Sequence, residues 1–358
     1  MSSITEQLTE NALLLLKQLI TCPSFSSAED KTASLIEDWF SSQDIACHRH
    51  RNNVYAMNKF YDPAKPNLLL NSHHDTVRPN AAYTRDPFQA VIEDGKLYGL
   101  GSNDAGGCLV ALLALFSYYY TNSEMSHNLI IVASAEEESS GPNGLNSVLQ
   151  LLPPIELAIV GEPTQMHLAI AEKGLVVFEG SIKGTPSHAA HPNGNNAIYN
   201  SIEVLKWFKD YSFEKISDTL GETKITVTQI QAGDQHNVVP AEVNLVIDVR
   251  VNDCYTNQQI ADILINDAPC ELKARSLRLN SSSIDKNHLL IKAGVQLGRK
   301  TYGSPTLSDQ AALSCQSLKL GPGDSTRSHS ADEFIYVEEI EEGISIYIEL
   351  LRRFLLTA

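Results

Sequence analysis

The chain has 358 residues, 43% of them apolar, so it exceeds one ordinary core and carries enough apolar side chains for two domains. Forty-three Asp and Glu against 27 Lys and Arg give a formal net charge of -16, which opposes phosphate backbones; with no basic stripe, the balance argues against nucleic-acid binding. Residues 1–20 carry Glu6 and Glu10 instead of a cleavable apolar segment, no run approaches the roughly 18 apolar residues of a membrane span, and Cys22, Cys47, Cys108, Cys254, Cys270 and Cys315 form no CxxC pair, so we expect a soluble, cytoplasmic protein with reduced thiols and O and N metal ligands.

Apolar spacing predicts helices over 5–20 and 29–40. Residues 67–71 (NLLLN) read as a short buried strand running into Ser72 and His73. The Gly-rich turn 101–107 holds Asp104 and precedes a helix over 108–120. Residues 129–133 (LIIVA) form a second buried strand that empties into Glu136, Glu137 and Glu138. A third, Leu157–Val160, empties into Gly161 and Glu162. Val-, Ile- and Leu-rich strands of this kind read as parallel strands buried on both faces. Ligands at their carboxyl ends would share the edge where open α/β sheets bind substrates.

The character changes after Gly174. Strands are expected at 175–182, 223–231, 241–251 and 271–279, with helices at 196–209 and 256–265. That order, β-α-β-β-α-β, is ferredoxin-like. We therefore expect an α/β fold of two parts: a catalytic domain with a mixed, mostly parallel sheet flanked by helices over 1–173 and 285–358, and an inserted ferredoxin-like α+β domain over 174–284 acting as lid and dimerisation domain. The catalytic part resumes near Asn287, reaches His329 in a Gly- and Pro-containing loop, and ends in an amphipathic helix over 337–354.

Each candidate residue has two readings. His73 and Asp75, two apart on an extended backbone, point the same way, so Asp75 could hold one ring nitrogen while the other binds metal; an ordinary polar strand end has the same pattern. His74 points the opposite way and reads as structural. Asp104 could give one oxygen to each of two ions, or cap the following helix. Among adjacent glutamates, one could bind metal while its neighbour carries protons, and a solvated acidic loop is the alternative. Glu162, held extended by Pro163, and His329 also fit ordinary loop positions. What favours a two-metal hydrolase centre is that all of them fall at strand ends or in Gly-rich loops together.

The same residues carry a resemblance. His73-x-Asp75, Gly-Ser-Asn-Asp104 with Gly106 and Gly107, Glu137-Glu138, Gly-Glu162-Pro-Thr, Ser187-His188 with Pro192, Asn237-x-x-Pro240, and Gly-Pro-Gly with His329 resemble the di-zinc aminoacylase, deacylase and carboxypeptidase family, nearest to its acetylornithine deacetylase pattern. The motifs occur in order over about residues 10 to 354. The resemblance implies two divalent ions, zinc first, though O and N ligands suit Co and Mn as well. One ion would be held by His73 and Glu162, the other by Glu138 and His329, with Asp104 bridging. Asp75 would orient His73, and Glu137 would be the general acid/base.

The resemblance also implies a homodimer formed through the inserted domain, with His188 reaching the partner's active site. Asn237 and Arg250 match positions that contact substrate in the related desuccinylase. Lys173 follows Glu172 where that enzyme has two arginines, which speaks against a succinylated substrate gripped in the same way. His191 stands where relatives often carry an acid. Arg327 is a candidate for binding a substrate carboxylate bidentately, or is a surface arginine. The implied reaction is hydrolysis of the Nα-acyl amide of a small amino acid, N-acetylornithine or N-acetylcitrulline in arginine biosynthesis. A desuccinylase, a di- or aminopeptidase of the same family, and a catalytically silent binding protein are the alternatives.

Overall fold

The computed structural model describes residues 2–356. The chain divides into two compact units: one comprises the residues up to Ile170, Ser283–Tyr302 and those from Ser308 onward, the other Ala171–Ser282 with Gly303–Leu307. The short return of Gly303–Leu307 to the second unit was not expected from the sequence. It follows from backbone pairing, since Lys173 N–H donates to Ser304 O (3.2 Å).

In the first unit the strands Asn128–Ser134, Asn67–His73, Leu157–Val160 and Gln316–Lys319 lie side by side in parallel. Antiparallel strands flank them, Asn53–Met57 and Cys47–His50 on one side and Leu168–Glu172 on the other. All residues of Asn67–His73, Asn128–Ser134 and Leu157–Val160 are buried, and alternate side chains enter different cores, as the two-residue period of a strand requires. Leu68, Leu70, Leu129, Ile131 and Ile159 face a core built with the helices Ser2–Ile20, Asp30–Ser42, Gly107–Tyr119, Leu289–Gln296 and Val337–Leu355. Leu69, Ile130, Val132 and Ala158 face the other way, onto Leu145 and Val148.

Ile340, Ile344, Tyr347, Leu351 and Phe354 are buried at helical spacing, which seats the terminal helix as its amphipathic pattern predicted. The register pairs His73 with Ser134 and Asn71 with Val160, so His73, the 136–138 acids and Glu162 all leave the sheet at one edge. Among the described residues no helix is long and apolar enough to cross a membrane.

A small sheet of Val91–Glu93, Lys96–Tyr98 and Phe334–Tyr336 was missed in the sequence, because its strands are only three residues long. Its signal was nevertheless there: Asp94-Gly95, both at positive φ (50° and 75°), makes the two-residue hairpin turn that matches strand twist.

The second unit has an antiparallel sheet in the order Lys224–Ala232, Glu242–Val251, Gly174–Lys183, Glu271–Ala274. One face of Gly174–Lys183 and Glu242–Val251 is buried residue by alternate residue, and the helices Ala197–Asp210 and Asn257–Asp267 contribute Val204, Phe208, Ile260 and Leu264 to that core. Asn196 accepts from Ile198 N–H and Thr256 forms a capping box with Gln259, so both helices start at side-chain caps. Element order and strand order together make this unit ferredoxin-like. The last strand stops at Ala274 instead of residue 279.

Candidate metal centre

His73 ends its strand only 1% exposed. Its Nδ1 hydrogen-bonds the backbone oxygen of Asp75 (3.0 Å), with a carboxylate oxygen of Asp75 at 3.4 Å. With Nδ1 carrying the proton, the lone pair is left on Nε2, which is buried and has no hydrogen-bond partner. A buried nitrogen of this kind needs a proton or a cation. Asp75 also ties the acidic loop to the strand end: its carboxylate accepts from Glu137 N–H (3.0 Å), Glu138 N–H (3.2 Å) and Ser26 Oγ (2.7 Å).

Around His73 Nε2 stand Asp104 Oδ1 at 3.4 Å, Glu137 Oε2 at 3.9 Å and Glu162 Oε1 at 3.9 Å. The other oxygen of Asp104 lies 3.5 Å from His329 Nε2, which also meets both carboxylate oxygens of Glu138 (3.1 and 3.0 Å). Asp104 thus turns one oxygen to each imidazole. His73, Asp104 and Glu138 bring ligand atoms within 4.8 Å of one another. His329 sits at φ 57°, a left-handed backbone supported by its loop.

The electrostatics are those of crowded acids in a low dielectric. Burial, then the Asp104 charge, pushes the Glu162 carboxyl up to about 8. Burial also pushes Glu137 well up, with Glu162 and Glu138 adding to it. The hydrogen bond to Glu138 lifts His329 to about 9, and at His73 burial, which opposes the charged ring, is outweighed by the nearby Asp104 and Asp75 carboxylates. Acids and imidazoles that compete for protons in this way would be relieved by divalent charge, and their hard O and N donors suit such ions. The residues therefore fit the implied pair of metal ions.

His74 is buried, with its ring nitrogens against Thr32 Oγ1 and Asn52 O (both 2.9 Å), and burial holds it down to about 4. This is a structural histidine. His188, Asn237, Arg250 and Lys173 lie on the second unit. His188 pairs across a short ladder with Val238, next to Asn237, and its Nδ1 accepts from Ala190 N–H (3.1 Å), which leaves Nε2 as the donor of the neutral ring. Arg250 is paired with Asp248 (2.9 and 3.1 Å), and Lys173 Nζ donates to Glu222 O (2.5 Å). The Arg327 fork, a candidate for a substrate carboxylate or else a surface arginine, grips Glu339 (2.8 and 2.5 Å) and packs over Phe334 and Tyr336.

Two acids went unread in the sequence. Asp309 accepts from Ser134 Oγ (2.6 Å), and burial raises it to about 6. Glu333, four residues beyond His329, is 2% exposed and receives backbone N–H groups of the Asp104 turn. The only sequence sign of either was an acid within a Ser- or Gly-rich loop.

The sequence pattern of Peptidase family M20/M25/M40 matches residues 69–353. The chain is 28% identical over 377 aligned positions to the acetylornithine deacetylase of Shigella sonnei (strain Ss046), covering 94% of this chain and 96% of that one. Among solved structures, the M20 family metallo-carboxypeptidase Sso-CP2 of Sulfolobus solfataricus superposes with a TM-score of 0.76 at 16% identity, covering 96% of this chain and 99% of the other. The Bacillus subtilis YXEP protein, a dinuclear metal-binding peptidase, does so with 0.72 at 15%, covering 99% and 100%. With this sequence match over most of the chain and the ligand cluster at the sheet edge, the protein belongs to peptidase family M20/M25/M40 and is a metal-dependent hydrolase.

Proposed function

We propose that the chain hydrolyses the Nα-acyl amide of a small amino acid, an acylated ornithine or citrulline of arginine biosynthesis. The observation that carries the hydrolytic reading is Asp104 placed between His73 and His329 with Glu137 beside them. The choice of amine is supported by the similarity to the Shigella acetylornithine deacetylase.

In this reading His73 and Glu162 hold one divalent ion, Glu138 and His329 the other, and Asp104 contributes to both, zinc being the first choice of metal. Bound there, such ions supply Lewis acidity for the amide carbonyl and acidify a water molecule. Glu137 takes the proton of the attacking water at a carboxylate oxygen and returns it to the leaving nitrogen. Its backbone is held by Asp75, so the carboxylate stays at the strand end through both transfers.

His188 of the partner subunit is the proposed donor to the developing oxyanion, its Nε2–H left available by the Ala190 contact. Asn237, adjacent to the Val238 that pairs with His188, and Arg250 are the proposed substrate contacts, with Lys173 a further one. A homodimer through the second unit is supported by surface chemistry. Lys224–Ala232 is the outermost strand of its sheet, and Tyr199 (70% exposed), Ile202, Ile198 and Ile230 leave apolar side chains uncovered on that unit.

The test is amine release by metal-loaded protein on Nα-acetylornithine, Nα-acetylcitrulline, Nα-succinylornithine and simple dipeptides, with a chelated control. Chelator-sensitive release from an acylated ornithine or citrulline supports the proposal and identifies the acyl group. Turnover of dipeptides alone would keep the centre and replace the substrate. No turnover on any of them would favour a silent binding protein.

A further inference from the structure

We propose that Glu333 is a positioning residue for Asp104, holding the candidate bridging carboxylate in register with His329; this rests on the two-metal reading above. The Asp104 turn, Ser102–Gly106, departs from helical geometry at Asp104 (φ -119°, ψ 96°). Several of its backbone donors therefore need partners from outside the turn. Glu333 supplies them from about 230 residues away: Oε2 accepts from Gly101 N–H (3.0 Å), and Oε1 from Asn103 N–H (2.8 Å) and Asp104 N–H (2.9 Å).

The carboxylate is itself held in place. Gly99 N–H donates to Glu333 O (3.0 Å), and the next residues, Phe334–Tyr336, pair with Lys96–Tyr98. Position 101 requires a glycine. It sits at φ 75°, and a Cβ there would lie 2.5 Å from Thr76 Cγ2. A second clamp works in the opposite direction: the Asn103 side chain donates to Asp324 O (3.1 Å) and accepts from Asp324 N–H (3.0 Å). His329 lies between Asp324 and Glu333, so the loop that carries it is tied to the Asp104 turn at both ends. Asp104 and His329 approach to 3.5 Å as a consequence of that lacing.

Asp332 provides the control. Although adjacent to Glu333, it binds a different segment, accepting from Thr84 N–H (2.9 Å), Thr84 Oγ1 (2.5 Å) and Arg85 N–H (2.9 Å). Outer partners of metal ligands typically change metal affinity roughly 10- to 100-fold when removed.

The experiment strips the full-length protein of metal and titrates Zn2+ against a chromophoric chelator. Co2+ absorption is recorded in parallel, and thermal melts monitor folding. Wild type should take up two ions. Glu333→Ala should lose roughly 10- to 100-fold in affinity for at least one of them and show an altered Co2+ spectrum. Glu333→Gln, which sets an amide N–H against a backbone N–H, should shift in the same direction and decides the matter if the alanine variant does not fold. Asp332→Asn should melt earlier but bind as wild type. A folded Glu333 variant that holds both ions with wild-type affinity and spectrum overturns the proposal alone, as does an Asp332→Asn loss equal to that of Glu333→Ala. A wild type that holds fewer than two ions overturns it together with the two-metal reading.

Discussion

Glu138 and His329, 191 residues apart in the chain, meet with a carboxylate oxygen 3.0 Å from Nε2 of the imidazole. In the proposed working enzyme the two side chains share one cation. His329→Ala and Glu138→Ala should each reduce bound metal from two ions to one and lower kcat/KM by more than about a hundredfold. The double variant should lose little more than either single one, because both act through the same ion. Elemental analysis and steady-state kinetics check this, and fully additive losses would separate the two residues.

Glu137 lies close to His73 but is assigned proton transfer instead of metal binding. Glu137→Gln removes a proton carrier and keeps the shape. It should lower kcat by about 10²- to 10⁴-fold, with two ions still bound. A variant retaining wild-type kcat would take the acid/base role away from Glu137.

For His188 the decisive property is the subunit it serves. Inactive His188→Ala protein mixed with inactive Glu137→Gln protein should regain activity on subunit exchange, since mixed dimers assemble one intact site. Failure to regain any, with exchange verified by mass, would remove the proposed donation across subunits.

Arg327 tests whether an arginine near the centre serves substrate or scaffold. Its fork is bidentate on Glu339, whose carboxylate also accepts from Tyr336 N–H at the start of the terminal helix. Charge-assisted hydrogen bonds of this type contribute about 1.5–3 kcal/mol when partly buried, so Arg327→Leu should lower unfolding free energy by about that amount. A double-mutant cycle with Glu339→Gln should show coupling, and KM should change little. A large rise in KM at unchanged stability would return Arg327 to the substrate.

Acid should loosen the packing of the terminal helix. The His127 and His288 rings both pack on Phe354, with centroids 4.9 and 5.8 Å away. Burial holds both imidazoles below their ordinary value, against the opposing pull of Glu156 on each and of Asp285 on His288. A folded-state pKa below the unfolded value of about 6.5 means that their contribution is complete above that pH and is lost as pH falls through the folded values. His288 adds a cap, its Nδ1 accepting from Leu290 N–H (3.2 Å), which protonation of that nitrogen removes. Melting temperature from pH 8 to 5 should fall less steeply in His127→Gln/His288→Asn than in wild type. Parallel slopes would show that the pair contributes nothing.

The local chain pattern was enough to read the buried strands ending at His73 and before Glu138 and Glu162, because apolar runs and ligand chemistry are properties of neighbouring residues. The amphipathic face from Ile340 to Phe354 was legible for the same reason. Short polar strands such as Lys96–Tyr98 were not, since three residues carry too little periodicity to register.

Contacts between distant segments depend on sheet register and on where loops return, and no local pattern encodes either. The sequence left Arg327 between a substrate contact and a surface arginine, and only the tertiary structure set Glu339 of the terminal helix against its fork. Glu333 looked like one more loop acid until the small sheet set it beneath the Asp104 turn. The types of the ligands are written in the chain, and their distances arise when four parallel strands and two loops close around one edge.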